Sequence, residues 1–117
     1  IYTPEFYDRV YDTALENARA LLKAGHAVVL DATFTEPRMR ARAEQLAGDL
    51  GVPFRGAWLQ APVAVLEARV AARTGDASDA TLEVLHGQIE RYGKDEVAWP
   101  KVDATAPTQA AAKAWLA

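Results

Sequence analysis

Helical patterns and short apolar runs alternate along this chain of 117 residues, and that alternation constrains the fold most. Strand-like segments occur at residues 27–32, 54–60 and 101–103, and segments with helical periodicity lie before, between and after them. This order is typical of a parallel sheet covered by helices. We therefore predict an α/β protein with a three-layer arrangement, although three strands, one of them weak, make a thin sheet for this much helix.

The predicted helices have clear start and stop signals. Thr3 and Pro4 mark the start of the first helix, and Gly25 ends it. Its apolar positions recur at helical spacing: Phe6, Val10, Ala14, Ala18 and Leu21, with Leu22 alongside.

Four further helices are predicted. The second is capped by Thr33 or Thr35 and runs to about Leu50, where Gly51 stops it. The third follows Pro62. Ser78 caps the fourth, and the last runs from Pro107 to Leu116.

Composition limits the class of protein. The net charge is -3 and there is no cysteine, so a basic nucleic-acid surface, a disulfide framework and a thiolate metal site are all disfavoured. The two histidines lie far apart in sequence, which disfavours a zinc cluster. No apolar run approaches the ~20 residues that span a bilayer, and no signal peptide is visible. We expect a single cytoplasmic domain without a membrane partner.

Asp31 is the first candidate site residue. The run Val28–Leu30 ends on this carboxylate, and Thr33 follows. In open α/β sheets, ligands bind beyond the carboxyl ends of the strands, where Gln60 and Asp103 are also predicted to lie. Asp31 either organises magnesium or accepts a proton there, or it only caps the next helix. Its position alone does not decide between these roles.

Arg69 and Arg73 are four residues apart on the third predicted helix and so share one face. They precede the polar segment TGDASD, which resembles a hinge. Two guanidinium groups beside a hinge suit a mobile lid that clamps phosphate oxygens and excludes water. The alternative is a pair of solvated arginines bound to Glu67 or Asp76.

A further basic group follows the Asp31 segment. Arg38 and Arg42 share one face of the second predicted helix, and Arg40 points elsewhere. At least one of the three is expected to face solvent only.

These features, in this order, resemble the P-loop kinase-like ATPases of the zeta-toxin and polynucleotide-kinase type. The nearest branch is the bacterial AAA-type ATP-binding domain that is often fused to an aminoglycoside-phosphotransferase-like domain. Four segments carry the resemblance: VYDTALENARALLKAGHAVVLDATF, RMRARAEQLAGDLGVPFRGAWLQAP, VLEARVAARTGDASDATLEVLHGQIERY and VDATAP. They span nearly the whole chain, and they are specific jointly rather than singly.

The resemblance implies ATP and Mg²⁺ as cofactors. Asp31 resembles a Walker-B-type carboxylate that organises magnesium, so we take it as both a metal ligand and a catalytic residue. Arg69 and Arg73 resemble the lid arginines that contact ATP phosphates. Gln60 departs from the acidic residue that often precedes the Ala-Pro turn, so the resemblance assigns no role to that position.

Substrate and nucleotide contacts are implied as well. We assign Thr33, Arg38 and Arg40 to the substrate side, Arg40 with a role in either substrate contact or structure. The loop after the last strand falls where such kinases pass the adenine. Its predicted nucleotide-binding residues are Asp103, Ala104, Thr105 and Pro107.

The main departure from the family is that these residues contain no G-x-x-x-x-G-K-[ST] motif. That motif cradles the phosphates with backbone amides, a lysine and a hydroxyl. The acidic residue that usually follows it and takes the acceptor's proton is also not found. We expect residues 1–117 to be the C-terminal two-thirds of a kinase-like domain, with a lid at about residues 66–93 and no phosphate-loop strand. The missing segment, or another copy of the chain, is then an expected partner.

Three functions compete. The first is transfer of the ATP γ-phosphate to a hydroxyl on a small molecule or, less readily, on a nucleic-acid end, by a domain completed by its phosphate loop. The second is a non-catalytic remnant or partner-binding module with the same fold. The third, ranked last because no glycine-rich candidate is present, is a nucleotide-binding domain with another phosphate loop.

Overall fold

The computed structural model describes residues 3–73 and 82–117. Its elements in chain order are α1 (Pro4–Lys23), α2 (Pro37–Leu50), β1 (Trp58–Gln60), α3 (Val63–Ala72), α4 (Leu82–Tyr92), β2 (Lys101–Asp103) and α5 (Thr108–Leu116). They divide between two compact units, Ile1–Phe54 and Arg55–Ala117. All five predicted helices are present. The predicted Ser78 cap and the TGDASD hinge lie outside the described residues.

Unit 1 is a pair of helices. The hydroxyl of Thr3 accepts a hydrogen bond from the amide of Phe6 and caps α1 as predicted. The predicted cap of α2 was wrong, because Glu36 occupies that position and makes no side-chain capping bond. Pro37 supplies the helical φ at the start of α2. Gly51 ends the helix at φ 67, in the left-handed region that glycine adopts without strain.

The buried face of α1 shares Ala18 with the predicted face and otherwise differs from it. The side chains of Tyr11, Leu15 and Ala18 are buried, whereas Phe6, Val10 and Leu21 stay 37–49% exposed. Both sets have helical spacing, so periodicity alone does not select between them. Packing against α2 decides which face of α1 is buried. Met39 of α2 is fully buried. Among the described residues, the buried hydrophobic side chains are Tyr11, Leu15, Ala18, Phe34, Met39, Ala43, Leu46, Ala47 and Val97.

The predicted buried strand at residues 27–32 was wrong. The structure has neither helix nor strand there, and Val29 is 89% exposed. A strand persists only where a neighbouring strand pairs with its backbone amides and carbonyls. Among the described residues of unit 1 there is no other strand, so the apolar run lacks this partner.

Unit 2 contains a two-stranded parallel sheet. β1 pairs with β2 in the register Trp58–Lys101, Leu59–Val102 and Gln60–Asp103. The strand at residues 101–103 is confirmed, whereas the one predicted at 54–60 is shortened to three residues. The α/β class is thus borne out by helices and a small parallel sheet, and the three-layer arrangement stays a prediction.

Tryptophans hold the entry to β1. The indole nitrogen of Trp115, on α5, donates a hydrogen bond of 2.9 Å to the carbonyl of Gly56. The ring of Trp99 lies so close to Gly56 that a Cβ built there would fall 2.4 Å from a ring carbon. These two tryptophans therefore pack around Gly56.

No helix in the described part of the chain is long and apolar enough to cross a membrane.

Candidate functional site

Asp31 and Thr33 lie on an irregular segment between α1 and α2, and both are exposed. No strand precedes this segment, so the predicted placement of Asp31 at a strand end was wrong. Its exposed carboxylate is nevertheless accessible to a ligand.

Phe34 fixes the end of this segment. Its φ is 47°, in the left-handed region, which costs a non-glycine residue roughly 1–2 kcal/mol. The Phe34 amide donates a hydrogen bond of 3.0 Å to the hydroxyl of Tyr11. Its ring is buried edge-on against the ring of Tyr11, with centroids 5.3 Å apart. The contacts with α1 offset the backbone strain.

Arg40 of α2 also contacts Phe34, through the backbone carbonyl. Only 7% exposed, it donates from NH1 to the carbonyl of Phe34 at 2.5 Å and to that of Thr35 at 3.2 Å. The sequence left Arg40 with either a substrate role or a structural role. The structure gives it contacts with backbone carbonyls, and its predicted substrate contact is untested.

The flanking arginines of α2 pair with α1. Arg38 contacts Asp8 at 2.6 Å, and Arg42 contacts Asp12 at 2.8 Å. The hydrogen bond that Arg38 donates to the carboxylate of Asp8 is the main cause that raises the pKa of Arg38 above its ordinary value. Such exposed pairs contribute little to stability. Arg38 is thus exposed, and its guanidinium is paired with Asp8.

An open groove of about 280 Å³ lies between the two helices of unit 1. Its basic side chains are already paired, Arg42 with Asp12 and Arg19 with Asp49 at 3.9 Å. With its cations neutralised in this way, the groove does not have the electrostatics of a phosphate site.

In unit 2, the predicted edge does collect polar groups. The parallel register puts Gln60 and Asp103 side by side at the carboxyl ends of β1 and β2. The carbonyl of Gln60 accepts a hydrogen bond of 2.8 Å from the amide of Ala104. This edge is where open α/β sheets bind ligands.

The loop after β2 is internally ordered. One oxygen of Asp103 accepts hydrogen bonds from the hydroxyl of Thr105 at 2.6 Å and from its amide at 2.8 Å. These bonds lower the pKa of Asp103 below its ordinary value, with a smaller contribution from the charge of Arg69. The carboxylate of Asp103 is therefore held ionised and oriented within its own loop.

Arg69 reaches this loop from α3. Its NH2 nitrogen donates a hydrogen bond of 2.8 Å to the carbonyl of Ala104. Arg69 lies on α3 as predicted. Arg73 is the C-cap residue and has an extended backbone, so the prediction that both arginines lie on the helix was wrong for Arg73. Glu67, a suggested partner of these arginines, contacts His86 on α4 at 2.7 Å.

The fit to a metal ion is limited. Within residues 3–73 and 82–117, no three histidine, cysteine or acidic side chains lie close enough together to hold one. Nucleotide-bound magnesium takes most of its ligands from water and phosphate oxygens, so one or two carboxylates suffice. The exposed carboxylate of Asp31 fits that supporting role and does not fit a closed protein site.

The helices and the parallel strand pair define an α/β protein with a ligand edge at the carboxyl ends of its strands. More specifically, the chain belongs to the AAA domain family, whose model matches residues 2–94. It is therefore a P-loop kinase-like, nucleotide-binding domain.

Its curated relatives include uncharacterized proteins of Mycobacterium bovis and of two strains of Mycobacterium tuberculosis. Each is 47% identical over 78 residues, which is 64% of this chain and 15% of the relative. The chain thus matches a small part of much longer proteins. No solved structure matches it at a significant level.

Two residues that fix the segment before α2, Tyr11 and Phe34, were not predicted from the sequence. Tyr11 was not included in the predicted face of α1, and Phe34 was not singled out. The spacing of Tyr11 with Leu15 and Ala18 was the available signal. No sequence signal indicated the positive φ of Phe34, since bulky residues rarely adopt a positive φ.

Proposed function

We propose that the chain is part of an ATP-dependent phosphotransferase that acts on a hydroxyl group of a small molecule or, less readily, of a nucleic-acid end. The acceptor oxygen attacks the γ-phosphorus, the bond from that phosphorus to the β–γ bridging oxygen breaks, and ADP leaves. The acceptor's proton passes to a base outside the residues identified here. Transfer of this kind depends mostly on positioning and on stabilisation of phosphate charge.

One observation carries the proposal: within a P-loop kinase-like family, Arg69 lies against the loop that follows β2, at the edge marked by Asp103. Guanidinium groups bind phosphate oxygens through two parallel hydrogen bonds. An arginine at the ligand edge of a nucleotide-binding domain is suited to that contact.

The proposed roles combine the position of Arg69 with the roles that the family resemblance implies for the other residues. Arg69 and Arg73 stabilise the charge of the phosphoryl group being transferred, and Asp103–Pro107 line the nucleotide. Asp31 would hold magnesium, which supplies charge neutralisation on the phosphates when bound. Thr33 and Arg38 are proposed to contact the acceptor.

The phosphate cradle is proposed to come from a phosphate-loop segment that these 117 residues do not contain. That segment, or a second copy of the chain, would complete the domain. By itself the 117-residue chain is expected to show negligible turnover, because the cradle supplies most of the catalysis. Tight binding and turnover of Mg-ATP by this chain alone would contradict the proposed dependence.

The test measures transfer of ³²P from γ-labelled ATP to hydroxyl acceptors and to water by the full-length protein. Arg73→Ala should lower the Mg²⁺-dependent rate by roughly 10- to 100-fold, the loss expected for a hydrogen bond to a charged group. Arg55→Ala is the matched control, since Arg55 is exposed and lies outside both the predicted lid and the loop after β2. Its rate should equal that of the wild type.

Asp31→Asn separates the two main hypotheses. If the domain transfers phosphate, this variant raises the Mg²⁺ requirement and leaves ADP binding nearly unchanged. If the domain is a non-catalytic, partner-binding remnant, the wild type shows no turnover, and neither Asp31→Asn nor Arg73→Ala changes partner binding.

A further inference from the structure

We propose that Arg40 is a positioning residue that fixes the segment carrying Asp31 and Thr33, acting through the backbone of Phe34. The inference rests on the proposed function, because that function assigns roles to Asp31 and Thr33. It replaces the predicted contact between Arg40 and the substrate with an indirect role.

The first step is the geometry of the clamp, which consists of Tyr11, Phe34 and Arg40. The amide of Phe34 is bonded to the hydroxyl of Tyr11 on α1, and its carbonyl is bonded to the guanidinium of Arg40 on α2. Both backbone polar groups of one residue are thus fixed by side chains from two different helices. The Phe34 ring is buried and lies edge-on against the ring of Tyr11, which adds to the attachment.

The second step is the backbone of Phe34. A φ of 47° is unusual for a bulky residue and persists only where surrounding contacts determine it. If the clamp is removed, the chain is free to return to an extended or right-handed conformation. A change of φ at this position redirects the residues immediately before it.

The third step is what lies before the clamp. Asp31 and Thr33 are exposed, and residues 26–35 have no helix or strand to hold them. A segment without a backbone ladder gains its order from its attachments at the ends. The clamp is such an attachment, one residue from Thr33 and three from Asp31.

The fourth step explains why arginine is needed. Its NH1 group donates to two successive carbonyls, those of Phe34 and Thr35, at 2.5 and 3.2 Å. Lysine carries the charge on a single flexible ammonium and does not reproduce the fixed planar geometry. Methionine keeps an unbranched side chain and donates no hydrogen bond.

The experiment uses the full-length protein and the variants Arg40→Lys, Arg40→Met and Tyr11→Phe. Arg42→Met is the control, because Arg42 lies on the same helix but pairs with the exposed Asp12 and has no proposed role in the site. Amide exchange at Phe34 and the NMR signal of the Thr33 methyl report the order of the segment. The activity arm measures the Mg²⁺ concentration for half-maximal rate and the KM for ATP.

The expected result for Arg40→Met is at least tenfold faster exchange at Phe34 and a broadened or shifted Thr33 methyl signal. The Mg²⁺ concentration for half-maximal rate rises severalfold, the KM for ATP stays constant, and Arg40→Lys is intermediate. A simple loss of folded protein would lower the rate without changing that Mg²⁺ concentration. Tyr11→Phe keeps exchange at Phe34 measurable if Arg40→Met fails to fold.

Unchanged exchange at Phe34 in both Arg40→Lys and Tyr11→Phe would overturn the clamp. Faster exchange with an unchanged Mg²⁺ requirement would overturn the positioning role and leave Arg40 structural only. If the wild type transfers no phosphate, the proposed function fails, and exchange and the Thr33 methyl signal still decide the proposal for Arg40.

Discussion

Arg69 on α3 donates a hydrogen bond to the carbonyl of Ala104, which lies 35 residues later in the loop after β2. This bond joins the helix predicted to bear lid arginines to the loop predicted to pass the nucleotide. The roles of the helix and of the loop were predicted from separate parts of the sequence. The fold of unit 2 brings α3 and the loop after β2 into contact.

Arg69→Ala should loosen the loop after β2. Loss of one exposed hydrogen bond, worth about 1 kcal/mol, is expected to speed amide exchange at Thr105 and Ala106 by up to roughly tenfold. Exchange measured by NMR checks this outcome, with Arg91→Ala as a control on α4. Equal exchange in Arg69→Ala and the wild type would show that the internal bonds of Asp103 order the loop alone.

Asp103 should make the stability of unit 2 fall at acidic pH. Hydrogen bonds from Thr105 lower its folded pKa below the ordinary 3.8, so the carboxylate stabilises the fold at neutral pH. That contribution is lost as the pH falls through 3.8 and then through the lower folded value. Asp103→Asn should flatten this part of the stability profile, measured by urea unfolding. A wild-type profile with the same acid slope as Asp103→Asn would contradict the assignment.

Tyr7 should produce the opposite dependence at alkaline pH. Burial, together with the neighbouring phenol of Tyr11, raises the pKa of Tyr7 from 10.0 to about 12. The unfolded chain therefore loses its proton first, so stability is complete below pH 10.0 and falls as the pH rises towards 12. Urea unfolding of Tyr7→Phe at about pH 11 should show a smaller loss than the wild type.

Tyr7→Phe and Tyr11→Phe form a matched pair at neutral pH. The buried Tyr7 hydroxyl has no hydrogen-bond partner among the described residues, so its removal should leave stability unchanged or raise it. Tyr11→Phe removes the acceptor of the Phe34 amide and should cost about 1–3 kcal/mol, because a buried donor is left unsatisfied. The difference is measured by urea unfolding, and equal effects would contradict it.

Gly56→Ala should destabilise the protein by about 1–3 kcal/mol, the usual cost of overpacking. A Cβ there would lie 2.4–2.8 Å from three atoms of the Trp99 ring. Gly87→Ala is the control, since a Cβ at this position on α4 meets nothing within 4 Å. That control should gain roughly 0.5–1 kcal/mol from helix propensity. Thermal unfolding of both variants would reveal the opposite signs, and a neutral Gly56→Ala would show that Trp99 can move.

Local signals predicted the helices well. The Thr3 cap, the Gly51 stop and the strand at residues 101–103 follow from propensity, capping and turn chemistry, which act within a few residues. The pairing of Gln60 with Asp103 at one edge followed from the rule that parallel strands share a carboxyl end.

The candidate site was less predictable because it depends on long-range partners. The apolar run ending at Asp31 has the composition of a strand, yet a strand requires a paired neighbour that unit 1 does not contain among its described residues. The buried face of α1 likewise depends on where α2 packs. The roles of Asp31, Arg69 and Arg73 in catalysis stay predictions.

The sequence by itself determined the helices, the parallel order of β1 and β2, and the family, because these depend on local patterns and on residue identity. Only the tertiary structure decided that Arg40 turns inward to Phe34, that Arg69 reaches Ala104, and that Val29 is exposed. Each of these depends on groups distant in sequence or on backbone φ values set by packing. Residue spacing along the chain does not contain that information.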